Sequence, residues 1–307
     1  MADADRSKRR EPAAPAADSP DDVSSPLGRG LYLLSTPIGA ANDITLRGLE
    51  ALRSADALAC EDTRVLRRLM EIHGVPLRGR PLIAYHDHNA EAARPGLLAR
   101  AAQGSVVYAS DAGTPLIADP GFKLVAEARE TGVPVFALPG PSALLAALTV
   151  SGLPTDRFCF GGFPPPKQSA RRRWLEGWTG APGVLAFYES PRRLPESLSD
   201  MAAVLGDRDA VVARELTKKF EEVRRDRLSA LSAGYREAGP PKGEVVVLLA
   251  PAEAPAPASA EDLDAALKAA LGEMSVKDAA RAVAAQLSMP RKMVYDRAVT
   301  LSRGETD

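Results

Sequence analysis

The feature that most constrains the fold is a regular alternation of short apolar runs with longer segments in which apolar residues have helical spacing. The apolar runs, each of strand length, cover residues 31–34, 57–60, 82–85, 106–109 and 133–138. Helical spacing follows them over residues 45–54, 61–74, 89–103, 121–131 and 142–152. Strand and helix in repeated succession are typical of a parallel sheet with crossover helices. This part of the chain is therefore predicted to be an α/β domain.

The pattern changes after residue 153. Apolar runs at residues 158–160, 184–188, 210–214 and 244–250 predict a second sheet with antiparallel pairs, and helices are predicted at 169–178 and 193–205. Residues 251–260 have the alanine- and proline-rich composition of a linker. Helical spacing returns at 261–271, 275–287 and 291–302, where the last two segments and their short turn resemble a helix-turn-helix.

These changes divide the 307 residues into five predicted segments. They are a disordered tail (1–28), an N-terminal α/β domain (29–152), a second, mixed-sheet α/β domain (153–250), a linker (251–260) and a helical unit (261–307). The tail lacks the apolar stretch of a signal peptide, and no apolar run approaches the roughly 20 residues that span a membrane. With two cysteines and three histidines, we expect no disulfide framework, no metal site and a cytoplasmic location.

Three loops rich in glycine and proline follow strands of the predicted parallel sheet. They read STPIGAAND after the first strand, SDAGTPLIADPG after the fourth and LPGPSA after the fifth. Small residues let a backbone approach a ligand closely, and ligand sites lie at the carboxyl ends of parallel strands. Each loop alone also fits a simple turn, and the first lacks the G-x-G-x-x-G of a dinucleotide site. Together they predict a ligand cleft.

The charge distribution leaves a nucleic-acid partner open. The formal net charge is −1, but basic residues cluster at 64–68, 167–173, 192–193, 218–219 and 224–227. A run of charges is usually a solvated helix face. Five such clusters are compatible with phosphate binding without establishing it.

Several longer stretches carry a resemblance to a known family. In chain order they are TPIG and NDITLRGLEAL, ALACEDTR, YHDHN, SDAGTPLIADPG, LPGPSALLAAL, GLPTDRFCFGGFPPPK, FYESPRRL, ARELTKKFEE and KGEVV. Over residues 31–250 they resemble the ribosomal RNA small subunit methyltransferase I family of the tetrapyrrole methylase superfamily, and the helical tail resembles an extra unit of many members. The first loop departs from the usual TPIGN, because Ala40 follows Gly39 and Asn42 comes two residues later.

The resemblance implies a tetrapyrrole-methylase-like two-domain fold that binds S-adenosylmethionine in the cleft between its domains. It implies 2′-O-methylation of a cytidine ribose in the decoding region of small-subunit (16S) ribosomal RNA. The implied partners are the small ribosomal subunit or its RNA, and a second copy of the chain in a homodimer. The donor-binding positions that the motifs carry over are Pro37, Ala112, Gly113, Thr114, Ile117, Ser142, Ala143, Glu189 and Leu216.

A ribose hydroxyl is a poor nucleophile and benefits from a general base within hydrogen-bond reach. The candidates are Glu61, Asp62, His86, Asp87, His88, Asp111 and Lys167. We select His86 and Asp87, because two histidines flank an aspartate directly after a strand, together with Glu61. Asp62 fits a helix N-cap equally well, and Asp111 fits an architectural role.

Ribosomal RNA would need cationic side chains for its phosphates and stacking groups for a splayed base. The patch selected for this role comprises Lys167, Arg171, Arg172 and Arg173, beside the aromatic side chains of Phe163 and Trp174. The nearby Trp174 and Trp178 fit the buried face of an amphipathic helix as well as they fit base stacking.

Two other functions fit parts of the sequence. A tetrapyrrole (precorrin-type) methylase would share the fold, although the basic clusters and the EDTR, YHDHN and SDAGTP stretches favour RNA. A non-catalytic, ribosome-associated RNA-binding factor would use the helical tail. Absence of S-adenosylmethionine binding would remove both enzyme hypotheses.

Overall fold

The computed structural model describes residues 27–118, 121–252, 259–287 and 289–303. Most of the predicted tail (1–26) and of the predicted linker (253–258) lies outside the described residues, as do residues 119–120 of the second loop. No helix in the described ranges is long and apolar enough to cross a membrane.

The first half forms a parallel five-stranded sheet, as the alternation predicted. Its strands are β1 (Gly30–Leu34), β2 (Ala57–Cys60), β3 (Leu82–Ala84), β4 (Ser105–Ala109) and β5 (Val135–Leu138). They lie in the order β3-β2-β4-β1-β5, so that β1 pairs with β4 on one side and β5 on the other. The carboxyl ends of β1, β2 and β4 are therefore neighbours in the middle of the sheet, whereas β3 is an edge strand.

Helices cover both faces of this sheet. They are α1 (Leu46–Ser54), α2 (Thr63–Ile72), α3 (Ala90–Gln103), α4 (Phe122–Glu130) and α5 (Ala143–Ser151). Because successive side chains of a strand point to opposite faces, Val107 of β4 packs with residues of α1 and α2, while Val106 and Tyr108 pack with α3 and α4. Asp62 caps α2 by accepting the Arg64 N–H at 2.8 Å.

The second half forms a mixed five-stranded sheet. Its strands are β6 (Phe158–Phe160), β7 (Val184–Glu189), β8 (Asp209–Arg214), β9 (Glu222–Arg227) and β10 (Val245–Leu249). Their order is β6-β7-β10-β8-β9, with β6 and β7 parallel and the other pairs antiparallel. The accompanying helices are α6 (Gln168–Glu176), α7 (Leu194–Leu205) and α8 (Leu228–Ala238), and short 3-10 turns occur at Ala41–Asp43 and Pro191–Arg193. Neither β9 nor α8 was predicted.

The two halves pack directly against each other. A shared apolar cluster joins Leu144 and Leu148 of α5 to Val211 of β8 and Leu248 of β10. The first loop adds a polar contact, since the Ala40 N–H donates to Thr217 Oγ1 at 3.0 Å. This packing places the carboxyl ends of the first sheet's central strands opposite the second sheet.

The last described residues form the predicted helical unit, with α9 (Ala260–Leu271), α10 (Val276–Gln286) and α11 (Arg291–Ser302). Leu267, Val283 and Val294 make its small core. An ion pair between Arg297 and Asp264 at 2.6 Å links α11 to α9. Both cysteines are free thiols; Cys60 is buried and Cys159 is half-buried.

Candidate active site

The three glycine- and proline-bearing loops are joined into one structure by hydrogen bonds. Thr36 of the first loop and Gly113 of the second exchange two backbone N–H···O bonds of 3.0 Å. Thr36 Oγ1 also donates to the Ser110 carbonyl at 2.9 Å. In turn, Thr114 Oγ1 donates to the Pro141 carbonyl of the third loop at 3.0 Å. The loops thus form a single pre-organised wall instead of three independent turns.

The second loop holds backbone conformations that side chains rarely adopt. Gly113 has a φ of +81°, which explains the need for glycine there. Leu116 and Ala118 also have positive φ values, of 73° and 65°, without being glycine. Each such residue costs on the order of 1–3 kcal/mol and persists where the surroundings enforce it, most often at functional sites.

A cleft of about 390 Å³ lies between this wall and the second sheet. Its volume is in the range of small-molecule and cofactor sites. From the first half it is lined by Ile38, Glu61, the 111–114 segment, Ile117, Ala118 and Ala143. From the second half it is lined by Phe163, the 188–191 segment, Ala213, Leu216 and the 243–246 segment. A ligand in the cleft would therefore contact both sheets.

The lining is acidic. Four carboxylates line the cleft, those of Glu61, Asp111, Glu189 and Glu244, and none of its described lining residues is lysine, arginine or histidine. Glu189 pairs with Arg193 and Glu244 with Lys218, each at 2.9 Å, and both of these cations lie outside the lining. A lining that holds carboxylates and, among its described residues, no cationic side chain favours a cationic ligand over a phosphate.

Glu189 is held by donors on several sides. Its fully buried carboxylate accepts hydrogen bonds from the Ser190 N–H at 2.7 Å and from Ser197 Oγ at 2.5 Å, in addition to Arg193. Such a group fixes the end of β7 and the turn after it. The Glu189 carboxylate therefore shapes the cleft wall, and donors of the chain already occupy its oxygen atoms.

Asp111 lies directly after β4 and bridges to the end of β2. Its Oδ1 accepts the Asp62 N–H at 2.9 Å, and the side chain is half-buried. Burial raises the pKa of the Asp111 carboxyl; the bond from the Asp62 N–H lowers it and the Asp62 carboxylate raises it, with a net upward shift. Together with Glu61, it gives the cleft two carboxylates from neighbouring strand ends.

Most of the predicted donor-binding positions lie in the lining. They are Ala112, Gly113, Thr114, Ile117, Ala143, Glu189 and Leu216. Pro37 and Ser142 do not line the cleft, although each adjoins a residue that does. Ser142 instead caps α5 through the Leu145 N–H. Whether any of these positions contacts a ligand stays a prediction.

Only one of the three selected catalytic residues lies in the cleft. Glu61 lines it, whereas His86 and Asp87 lie at the end of β3, and β2 separates that strand from β4. There the His86 backbone N–H donates to Asn89 Oδ1 at 2.9 Å, and the Asp87 side chain is exposed. We therefore withdraw both from the candidate bases, because the edge position of β3 keeps them out of the lining. In the described residues, no group of three or more His, Cys, Asp or Glu side chains could hold a metal ion.

The sequence predicts Asp111 only as an unselected candidate base, and it predicts Phe163 beside the RNA-contacting patch and not in the cleft lining. Phe163 is 56% exposed at the cleft, and its ring centroid lies 5.5 Å from that of Tyr188. Tyr188 could have been found from the sequence, since it precedes Glu189 at the carboxyl end of a predicted strand. Phe163 lies in the GGFPPPK loop, and nothing in that stretch shows which way the loop folds.

The predicted RNA-contacting patch divides into exposed and buried members. Lys167, which immediately precedes α6, and Arg172 and Arg173 within the helix are exposed. Arg171 is 3% exposed, and its guanidinium pairs with the buried Asp200 of α7 at 2.6 Å. We withdraw Arg171 from the patch, because it joins two helices in the interior.

The tryptophans of α6 pack inward. The ring centroids of Trp174 and Trp178 lie 5.4 and 5.7 Å from that of Phe187, a fully buried residue of β7. Of the two uses considered for these side chains, the structure favours core packing.

Two family patterns match this sequence. The family described as Tetrapyrrole (Corrin/Porphyrin) Methylases matches residues 30–232, and the RsmI C-terminal HTH domain matches residues 257–302. Among solved structures, the chain is similar to a diphthine synthase, with a TM-score of 0.57 and 22% identity over 72% of this chain and 89% of that one. It is also similar to a cobalt precorrin-4 methyltransferase, with a TM-score of 0.54 and 18% identity over 71% and 93%. These likenesses show the tetrapyrrole methylase fold.

Similarity to curated proteins is closer. A protein named Ribosomal RNA small subunit methyltransferase I from Mesorhizobium japonicum is 49% identical, over 92% of this chain and 96% of its own length. Proteins of the same name from Erythrobacter litoralis and Escherichia coli O157:H7 are 45% and 46% identical. They cover 92% and 71% of this chain, and 98% and 77% of their own lengths.

Proposed function

The chain belongs to the ribosomal RNA small subunit methyltransferase I family, and from this membership we propose that it transfers the methyl group of S-adenosylmethionine to small-subunit ribosomal RNA. The proposed acceptor is the ribose 2′-hydroxyl of a cytidine in the decoding region. The observation that carries the proposal is the acidic cleft between the two sheets, built from the loops that the family motifs contain.

The lining fits this methyl donor chemically. S-adenosylmethionine carries a sulfonium, an ammonium and one carboxylate. A cleft lined by four carboxylates and, among the residues that the structure describes, by no cationic side chain suits its net positive charge. The apolar side chains of Ile38, Ile117 and Leu216 offer a surface for its adenosine part. Ala112 and Gly113 have small or absent side chains, so the polar groups of the donor can approach their backbone closely. When bound, the donor supplies an electrophilic methyl group.

The protein must then orient the acceptor and remove its proton. Methyl transfer from a sulfonium is an in-line displacement, so much of the catalysis is positioning. We propose Asp111 as the general base, because it lines the cleft and the Asp62 N–H fixes one of its oxygens. Its raised pKa makes it a better proton acceptor than an ordinary aspartate. Glu61, from the neighbouring strand, is the second candidate.

The exposed Phe163 ring is proposed to receive the base of the target nucleotide. Single-stranded bases are held by stacking on aromatic side chains, and Phe163 reaches the cleft already supported by Tyr188. The cationic contacts to the RNA backbone would come from outside the cleft, where Lys167 and Arg173 are exposed.

We further propose that the chain acts in the cytoplasm on the small ribosomal subunit, as a homodimer. The support for both parts of this proposal is the family membership of the chain.

A tetrapyrrole methylase is the alternative enzyme on this fold. The relatives with methyltransferase names for ribosomal RNA are 42–49% identical, whereas the tetrapyrrole-acting neighbours share 18–22% of residues and so show the fold alone. RNA is therefore the better-supported substrate.

The test incubates the full chain with methyl-labelled S-adenosylmethionine and either small ribosomal subunits lacking the modification or a porphyrinoid. We expect label in the RNA and one position that resists alkaline cleavage, because a 2′-O-methyl group removes the internal nucleophile. Label in the porphyrinoid alone would overturn the proposal. Absence of donor binding by calorimetry would leave the non-catalytic binding factor as the explanation.

A further inference from the structure

A second pocket of about 410 Å³ lies at the outer edge of the second sheet, around β9 and the end of α8. We call it the edge pocket. Its charged and aromatic lining residues are Arg214, Phe220, Glu222, Arg224, Tyr235 and Lys242. None of the residues assigned so far to donor binding or catalysis belongs to it.

The edge pocket has the opposite charge to the cleft. Arg214 and Arg224 share one carboxylate, that of Glu222, at 3.1 and 2.9 Å, and Lys242 adds a third cation in an exposed position. Three cations against one carboxylate leave a net positive lining. Such a pocket favours an anionic group, and guanidinium groups suit phosphate oxygens in particular.

A buried hydroxyl in the lining, that of Tyr235, makes no hydrogen bond to any residue that the structure describes. Tyr235 is 3% exposed, and its Oη makes no hydrogen bond within the described part of the chain. Burial raises the pKa of Tyr235, so the hydroxyl is a neutral donor at physiological pH. Leaving such a group unsatisfied is costly, which favours a small movement of the surrounding side chains that lets an acceptor from outside the chain reach this buried oxygen.

The pocket also offers flat stacking surfaces. Phe220 is 65% exposed at its rim, with Lys219 Nζ 5.5 Å from the ring centroid. Arg224 lies over the Tyr235 ring, with its guanidinium carbon 5.0 Å from the centroid. Exposed aromatic rings interleaved with cations are typical of sites for single-stranded nucleic acid.

The edge pocket and the cleft share a wall. Arg214 lines the pocket and Leu216, two residues further, lines the cleft; likewise Lys242 lines the pocket and Gly243 the cleft. A hydrogen bond from Arg214 Nη1 to the Lys242 carbonyl at 3.2 Å ties the two segments together. An extended strand whose target nucleotide enters the cleft would pass the edge pocket within a few nucleotides.

We propose that the edge pocket binds a nucleotide of the substrate RNA that flanks the methylated one. Phe220 stacks on its base, while Arg214, Arg224 and Lys242 hold its phosphate and Tyr235 Oη donates to it. The identity of the RNA rests on the proposed function; the pocket's preference for a single-stranded nucleotide does not.

The test uses three variants of the full chain: Phe220→Ala, Tyr235→Phe and Lys242→Gln. With unmodified small subunits as substrate, we expect the KM for RNA to rise about tenfold for Phe220→Ala, because one base–aromatic stacking contact is lost. The KM for the donor should be unchanged. Lys242→Gln should lower the slope of log affinity against log salt by about one. Tyr235→Phe should weaken RNA binding severalfold without loss of thermal stability.

Matched controls remove the same groups elsewhere. Arg100→Gln removes an exposed cation of α3, and Tyr32→Phe removes a hydroxyl bound to the Gly28 carbonyl. Neither should change the KM for RNA. A KM within twofold of the wild type in all three pocket variants would overturn the inference. So would a changed oligomeric state with unchanged RNA affinity, because the pocket would then serve contact between chains.

A direct binding arm separates this inference from the proposed function. A single-stranded RNA covering the decoding region, with 4-thiouridine beside the target position, is cross-linked to the full chain and the attachment site is mapped. Attachment at residue 214 or within residues 220–242 supports the pocket, even if the wild type methylates no RNA. Attachment confined to other surfaces contradicts it, even if methylation is normal.

Discussion

At the scale of single residues, the cleft depends on how each carboxylate is held. The buried Glu189 receives hydrogen bonds from Ser190, Arg193 and Ser197, so its acceptors are occupied. Asp111 receives one backbone bond at Oδ1, from Asp62, and remains in the lining. The same chemical group thus serves as a structural anchor at one strand end and as the proposed base at another.

We predict that Asp111→Asn lowers kcat about 10²- to 10⁴-fold, the usual contribution of a general base. The amide oxygen can still accept the Asp62 N–H, so the loop should keep its structure. Burial raises the folded pKa of Asp111, and the stabilising effect of the neutral form is lost as pH rises through that value. The variant should therefore be no less stable at neutral pH, as measured by urea denaturation.

Single-turnover methylation against pH is the decisive measurement. The wild-type rate should rise with pH through an inflection that Asp111→Asn removes. His86→Ala is the control, since His86 lies outside the cleft lining, and its rate should stay within about threefold of wild type. An equal loss in His86→Ala would restore the base predicted from the YHDHN stretch.

The sequence located most of the lining because strand ends and small-residue loops can be recognised locally. It misplaced His86 and Asp87 because strand order is a tertiary property: nothing in YHDHN shows that β3 is at the edge, beyond β2. The same limit applies to Arg171, whose burial depends on Asp200, 29 residues later in the chain.

At the scale of elements, β9 is a strand that hydrophobic alternation in the sequence does not predict. Its sequence, EVRRDR, has no apolar alternation, and all its residues but Glu222 are exposed. It is a strand because its backbone pairs with β8 over six residue pairs, from Asp209–Arg227 to Arg214–Glu222. A charged edge strand also discourages edge-to-edge aggregation. The basic cluster that it contains was visible in the sequence, but its role as a pocket wall was not.

The α6–α7 contact leads to a stability prediction. Burial alone would raise the pKa of Asp200, but bonds from Arg172, Arg171 and Gln168 outweigh it and lower the pKa. Asp200→Ala leaves the Arg171 guanidinium buried without its partner and should cost about 3–5 kcal/mol of unfolding free energy. Because the folded pKa is lowered, the wild type should lose this stabilisation as pH falls through it.

Urea denaturation of Asp200→Ala checks the magnitude. Glu71→Ala is the matched control, since its ion pair with Arg68 is 70% exposed on both sides and should be worth less than about 1 kcal/mol. Equal losses in the two variants would show that the α6–α7 ion pair adds nothing beyond a surface pair.

A third prediction concerns the outer face of α6. Lys167→Ala combined with Arg173→Ala should weaken binding to small subunits, with a shallower salt dependence, and leave donor affinity unchanged. Arg173 is chosen over Arg172, whose Nε bonds to Asp200 at 2.6 Å, so that stability is not altered at the same time. Binding is measured by filter retention at several salt concentrations. Unchanged retention would make this patch an ordinary solvated helix face.

At the scale of the whole molecule, two pockets of opposite charge meet at one wall. The acidic cleft suits a cationic donor and repels phosphates, whereas the basic edge pocket does the reverse. This division lets donor and RNA bind side by side without competing for the same charges. The cleft forms where α5 and the first loop pack on the second sheet, whereas the described lining of the edge pocket belongs to the second half alone.

A ligand that contacts both halves should stabilise the whole fold. At about 100 times its Kd, S-adenosylhomocysteine should add about 2.7 kcal/mol, or a rise in Tm of roughly 4 °C for a chain of 307 residues. Gly113→Val should remove this rise, because a Cβ there lies 3.4 Å from Ile38 Cγ2 and the extra methyls extend from it in the lining.

Gly132→Val is the control: Gly132 also has a positive φ, of 72°, but a Cβ there meets nothing within 4 Å. Both variants should lose similar stability from backbone strain, and only Gly113→Val should lose the response to ligand. A normal ligand-induced rise in Gly113→Val would refute the assignment of the second loop to the donor.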